Sequence, residues 1–173
     1  MDSIEARGVA AAPDADPPAE FDDPRELDYL YNAIDQVYNE FARTCGLSSC
    51  AYWMMYEIVR EGRPLALRDL TSQWAYSKQT VNSAMQTLVT KGLIELDFCE
   101  GSKKNKLASL TAAGEEFSER YIVPAIEAER RAFCTLDPEV RALVIRAMHS
   151  YTDALKAELE DLKIQKKEER ERA

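Results

Sequence analysis

The sequence predicts a mainly α-helical domain carrying a small β element, and three observations predict it. From Arg25 onward, apolar residues recur at three- and four-residue intervals over most of the chain, the mark of helices buried along one face. After Gly92 the period changes to two, because Ile94, Leu96 and Phe98 alternate with Glu95 and Asp97, which marks a strand. The length, 173 residues with 46% hydrophobic and 31% charged side chains, suits one core with tails.

Each element has its own justification. Residues 1–24 hold the Ala/Pro/Asp run Ala10–Pro18 and few large apolar groups, so burial cannot offset ordering entropy and a disordered acidic arm is expected. Leu27, Leu30, Tyr31, Ile34, Val37, Tyr38 and Phe41 then form one helical stripe that Gly46 stops. Ser48 or Ser49 can cap a second helix, Ala51–Glu61, whose Tyr52, Trp53, Met54, Met55, Ile58 and Val59 leave it apolar on most sides and therefore central to the core. It ends at Gly62, before Pro64. Leu65–Leu67 suits only a brief strand, and a short helix Arg68–Ala75 follows with Leu70 and Trp74 on one face, closed by a turn at Tyr76.

Ser77 caps the next helix, which runs through Lys91 with Val81, Ala84, Met85, Leu88 and Val89 inside, and Gly92 supplies a left-handed exit. The strand from Ile94 and a second run bracketed by Leu107 and Leu110 make a hairpin with a basic tip. Thr111 can cap a helix through Phe117, Tyr121, Ile122, Ala125 and Ile126 toward Phe133, with a bend or a new first turn at Pro124. Asp137 and Pro138 act as cap and first residue of the last helix, whose apolar stripe runs from Val140 to Leu162. Lys163–Ala173 is a mixed-charge tail, read as a solvated or fraying helix end.

Helix, helix, short strand, helix, turn, helix and two-stranded ribbon, in that order, describe a winged helix-turn-helix. In such a fold the second helix of the pair enters a DNA major groove and the ribbon reaches the backbone. The expected organisation is the arm at 1–24, a winged-helix domain at 25–162 and the charged tail at 163–173. Within the domain, residues 63–111 form a DNA-binding lobe, and residues 25–45 and 112–162 form N- and C-terminal dimerisation helices.

A formal net charge of −9 argues at first against nucleic acid. The charge is unevenly spread, however: residues 1–28 carry −7, 29–62 carry −2, 63–111 carry +3 and 112–173 carry −3. The local field at a contact surface governs association, so the one positive block, which contains the helix pair and the ribbon, is the candidate surface. On the helix after Ser77, the outward positions Gln79, Asn82, Ser83 and Gln86 lie at helical spacing, with Lys78 and Thr80 near its start. Asn and Gln match the adenine edge, Ser and Thr are tolerant partners, and a helix N-terminus favours phosphate. Lys103, Lys104 and Lys106 at the ribbon tip are assigned to sugar-phosphate contacts.

From Leu27 to Leu162 the chain resembles the MarR family of winged-helix transcriptional regulators. Ser77-Lys78-Gln79-Thr80-Val81 resembles the start of that family's recognition helix, Leu88-Val89-Thr90-Lys91-Gly92-Leu93-Ile94 its exit into the wing, and Leu110-Thr111-Ala112-Ala113-Gly114 its Leu-Thr-x-x-Gly step from wing to helix. The resemblance implies a homodimer joined through terminal helices, one recognition helix and wing per half-site of a near-palindromic operator, and, in many members, control by a small-molecule or redox effector. One feature departs from the family pattern. Where its wing commonly carries Asp-x-Arg, this chain has Ser102 and Lys104, so charge is kept but the planar arginine fork is not.

Burial argues for the dimer independently, because the stripes Leu27–Phe41 and Val140–Leu162 lack cover within one chain and a two-fold axis would supply it. The same axis would set the recognition helices about 34 Å apart. By the resemblance, an effector pocket would lie where the terminal helices meet the winged lobe, near Tyr31, Tyr38, Tyr52, Trp53 and Tyr56, whose rings suit an aromatic or apolar ligand or else ordinary core packing.

Other chemistries find little support. Cys45 and Cys50 have no adjacent basic cluster and no CxxC spacing, and are expected to be buried and inert. One histidine, His149, and scattered cysteines offer no metal-ligand spacing, and no cofactor is expected. Neither a nucleophile–base pair nor a Gly-rich phosphate loop occurs, so an enzyme is not expected. No run reaches the ~18–20 apolar residues of a membrane span, and the N-terminus is acidic rather than basic and then apolar, which sets aside membrane and secreted classes for a cytoplasmic protein. The expectation is a homodimeric, sequence-specific repressor of transcription that binds double-stranded DNA and is relieved by an effector. The alternative is a winged-helix protein-interaction module that has lost DNA binding.

Overall fold

The computed structural model describes residues 23–73, 76–98 and 106–172. The arm expected over 1–24 therefore lies outside the described residues apart from Asp23 and Pro24, as do Trp74, Ala75 and the wing tip with Lys103 and Lys104. The chain divides into two compact units, Met1–Ser49 and Cys50–Ala173.

In the first unit, helix α1 spans Arg25–Thr44. Glu26 and Asp28 in its first turn and Arg43 in its last complement the helix dipole. Its exit is the expected one: Gly46 adopts φ 70°, its N–H donates to the Arg43 carbonyl at 2.9 Å, and the Leu47 N–H reaches back to Ala42 at 3.0 Å. Leu30, Tyr31, Ile34 and Val37 of the apolar stripe are exposed.

The second unit begins with α2 (Ser49–Glu61), whose Tyr52, Met54, Met55, Tyr56 and Ile58 are buried, as a helix apolar on most sides requires. Strand β1 (Leu65–Ala66), α3 (Leu67–Gln73) and α4 (Lys78–Thr90) follow. Leu70, Val81, Met85 and Leu88 face the same core. Helix α4 ends like α1, with Gly92 at φ 68° and the Leu93 N–H bonded to the Leu88 carbonyl at 3.0 Å.

Strands β2 (Ile94–Phe98) and β3 (Lys106–Leu110) pair antiparallel, with Ile94 opposite Leu110, Leu96 opposite Ala108 and Phe98 opposite Lys106. The expected brief strand forms as β1 and pairs with the other edge of β3, so the sheet has three strands in the order β1-β3-β2. The small, fully buried Ala108 occupies its centre.

Beyond the wing, α5 (Ala112–Phe117) runs through a π-helical turn at Ser118–Ile122 into α6 (Val123–Phe133). The bend or new first turn expected at Pro124 takes the form of this π-helical turn. Pro124 has no N–H to give the preceding turn, and the widened turn, closed by the Val123 N–H on the Ser118 carbonyl, accommodates the ring without ending the helical path. Helix α7 starts at Pro138 and extends to Arg172, so the segment after Leu162 continues the helix. Ion pairs one turn apart line that end, among them Lys163–Glu160 at 3.0 Å and Lys166–Glu169 at 2.9 Å. No α7 residue is buried, and Val140, Leu143, Val144, Met148, Leu155, Leu159 and Leu162 are all exposed. No helix among the described residues is long and apolar enough to cross a membrane.

Candidate nucleic-acid interface

Helix α4 begins where the sequence places its cap. Ser77 is extended at φ −64° and ψ 151°, and its Oγ accepts from the Thr80 N–H at 3.1 Å. The Ser77 and Thr80 hydroxyls also lie 2.8 Å apart, so Thr80 serves the cap as well as facing outward. Val81, Ala84, Met85 and Leu88 are buried while Lys78, Gln79, Asn82, Ser83 and Gln86 are exposed, dividing the helix into a packed face and a polar one. The polar face carries carboxamides, hydroxyls and one cation and no carboxylate, a set that can donate to and accept from base edges.

The wing is fastened to the exit of α4 by one residue. Thr111 donates its hydroxyl to the Gly92 carbonyl at 2.5 Å and its N–H to the Leu93 carbonyl at 3.1 Å, while its Oγ1 accepts from Gly114 N–H at 3.0 Å as the cap of α5. Helix α4, the wing and α5 thus meet in a single hydrogen-bonded joint. This gives the Leu110–Gly114 motif a structural purpose.

Between α4 and the sheet lies a groove of about 470 Å³ whose lining includes Leu67, Arg68, Asn82, Gln86, Leu96 and Lys106. It joins two of the outward residues of α4 to Lys106 of the wing, which sequence reasoning names, and to Arg68 of α3, which it does not. Lys106 is held by its cross-strand partner, its Nζ lying 5.7 Å from the centroid of the Phe98 ring. Of the other wing lysines, Lys103 and Lys104 lie outside the described residues.

The aromatic candidates belong to both units. Tyr52, Trp53 and Tyr56 pack on one another along α2, with edge-on ring pairs at 5.5 Å for Tyr52–Trp53 and 5.2 Å for Trp53–Tyr56. Tyr31 and Tyr38 belong to α1 in the other unit, Tyr31 exposed and Tyr38 half-buried. The Tyr56 hydroxyl donates to Glu129 of α6, and burial first, then this bond and the nearby carboxylate charge, push its phenol above the usual tyrosine range. Cys45 and Cys50 are buried and desolvation raises both thiols, which opposes thiolate chemistry. Cys134 is exposed, with the Arg141 guanidinium 3.1 Å from its sulfur.

A helix pair whose second member presents a polar face, joined at its exit to an antiparallel ribbon, defines a winged helix-turn-helix protein. Among solved structures, this architecture with flanking terminal helices is the fold of the MarR family transcriptional regulators, and the chain has that fold. It is similar to a MarR family regulator from Neisseria meningitidis (TM-score 0.69, 21% identity, covering 80% of this chain and 96% of that one). A putative MarR family regulator from Listeria monocytogenes, solved with a 26mer DNA, matches with TM-score 0.64 and 19% identity over 78% of this chain and 89% of that one. The PcaV regulator from Streptomyces coelicolor, solved with its natural ligand, matches with TM-score 0.58 and 17% identity over 82% and 99%. No known family profile and no curated protein sequence matches the chain, so the likeness is one of three-dimensional structure.

Proposed function

We propose that this chain is a MarR-family regulator of transcription: a homodimer that binds double-stranded DNA at a near-palindromic operator and represses the adjacent promoter until an effector releases it. The observation that carries the reading is the carboxylate-free polar face of α4, capped at Ser77 and anchored at its exit to the wing through Thr111. Gln79, Thr80, Asn82, Ser83 and Gln86 read bases, Lys78, Lys103, Lys104 and Lys106 hold the backbone, and Ser77 at the start of α4 belongs to the same DNA-binding set. Neighbours of the same fold solved with DNA support the same reading.

A second copy covers the apolar stripe of α7, whose Val140, Leu143, Leu155, Leu159 and Leu162 are exposed. Control by a small aromatic or apolar effector is in keeping with a same-fold neighbour solved with its natural ligand. The protein acts by binding and not as an enzyme, and works in the cytoplasm.

The experiment is a salt titration on the DNA upstream of the chain's own gene, without effector. Affinity falling steeply with salt, and lowered alike on all sequences by Lys103→Ala or Lys104→Ala, supports the regulator. Absence of specific binding at low salt favours instead a winged-helix protein-interaction module, a reading to which the net charge of −9 and the Ser102/Lys104 wing lend weight.

A further inference from the structure

The groove between α4 and the sheet brings together two cations that belong to neither the same element nor the same stretch of sequence. Arg68 comes from α3 and Lys106 from β3, and between them the groove is lined by Leu67 and Leu96 and by the carboxamides of Asn82 and Gln86. Among the described residues, no carboxylate lines it. The pleat explains part of this, since Leu96 faces the groove and its neighbours Glu95 and Asp97 therefore point to the opposite face of β2. An anion entering here meets positive charge, amide donors and apolar walls that limit screening by water.

We propose that Arg68 and Lys106 clasp a single backbone phosphate of duplex DNA across this groove, with Arg68 acting as a positioning residue that sets how deeply α4 sits against the bases. The assignment rests on the DNA-binding reading and adds to it a contact from outside the recognition helix and the wing tip. Arg68 is suited to the task because a guanidinium offers a phosphate two parallel N–H donors, while Lys106 adds a point charge already restrained over Phe98. In the free chain Arg68 Nε rests 3.3 Å from the carboxylate of its neighbour Asp69, with both side chains exposed. An exposed pair of this kind is weak and yields to a phosphate. Because Asn82 and Gln86 line the same groove, the held phosphate adjoins the bases these two side chains face, which fixes register as well as affinity.

The test is fluorescence anisotropy of the full chain with a labelled mixed-sequence duplex over a range of salt concentrations, comparing the wild type with Arg68→Gln, Lys106→Gln and the double variant. Arg172→Gln serves as control, removing an exposed cation of the charged tail, outside both the groove and the 63–111 lobe. Circular dichroism confirms that each variant is folded. Each single groove variant is expected to bind roughly fivefold more weakly at low salt while keeping most of the log–log salt slope, because the remaining cation still holds the phosphate, and the control matches wild type. Because one phosphate is shared, only the double variant should flatten the slope by about one per subunit. Wild-type binding by Arg68→Gln, or a double variant that loses two full contacts per subunit, overturns the clasp and leaves the DNA-binding reading standing. A wild-type chain with no salt-dependent affinity for the duplex overturns both.

Discussion

Gly114 lies so close to Leu93 that a Cβ on it would come within 1.9 Å of the Leu93 carbonyl oxygen. That oxygen is itself fixed by the Thr111 N–H at 3.1 Å, so neither partner can retreat without opening the joint between α4, wing and α5. Gly114→Ala is therefore expected to lower stability by roughly 3 kcal/mol, the upper end for overpacking, because the obstacle is backbone. Gly62→Ala provides the contrast: it has open space around the site and only a φ of +62° to oppose it, so a loss of about 1 kcal/mol is expected. Urea unfolding of the two variants checks the ordering, and equal losses would show that the joint yields.

Tyr56 gives a pH signature. Its phenol titrates above the ordinary range in the folded chain, so as pH rises past about 10 the unfolded state ionises first and the stability held by the neutral phenol drains away. In that window the wild type should lose about 1.4 kcal/mol per pH unit that Tyr56→Phe does not lose. Near neutral pH the same substitution removes the hydrogen bond to Glu129 and should cost about 1 kcal/mol. Denaturant melts at neutral and alkaline pH compare the two chains, and parallel curves would exclude Tyr56 as the source.

Thiol reactivity should follow burial. Cys134 is exposed, whereas Cys45 and Cys50 are buried with raised thiols. Brief treatment of the folded protein with N-ethylmaleimide followed by peptide mapping should therefore label Cys134 well before Cys45 or Cys50. Rapid labelling of Cys45 or Cys50 would reopen redox control at these two residues.

Gln86 is exposed on α4 and lines the groove with Arg68. Gln86→Ala should change which bases are preferred while leaving affinity for mixed-sequence DNA within about twofold, since base contacts specify and phosphate contacts bind. A randomised-site selection on the variant measures this, and an unchanged preference removes Gln86 from the reading face.

The helical elements are legible in the sequence because their signals are local. Ser77 and Thr111 are caps recognisable from one residue type before an apolar period, and Gly46, Gly62 and Gly92 all adopt the positive φ that a helix exit requires. The outward set on α4 follows from the same period. What escapes the sequence depends on residues distant along the chain. Two residues, Leu65 and Ala66, are too few to show a strand's period, so their pairing with β3 is set by packing alone. Pro124 signals a break, but whether the helix stops or widens depends on the turn before it. Arg68 looks like any surface cation until tertiary structure sets it beside Asn82, Gln86 and Lys106.

If the proposed function holds, two copies of this chain present matched recognition helices to one duplex. Selection of the full chain against a pool of randomised duplexes checks this. The account predicts an enriched near-palindromic sequence whose half-sites are centred about 10 base pairs apart, one turn of the double helix. An enriched single half-site with no symmetric mate, or a pool that stays random after repeated rounds at low salt, would contradict it.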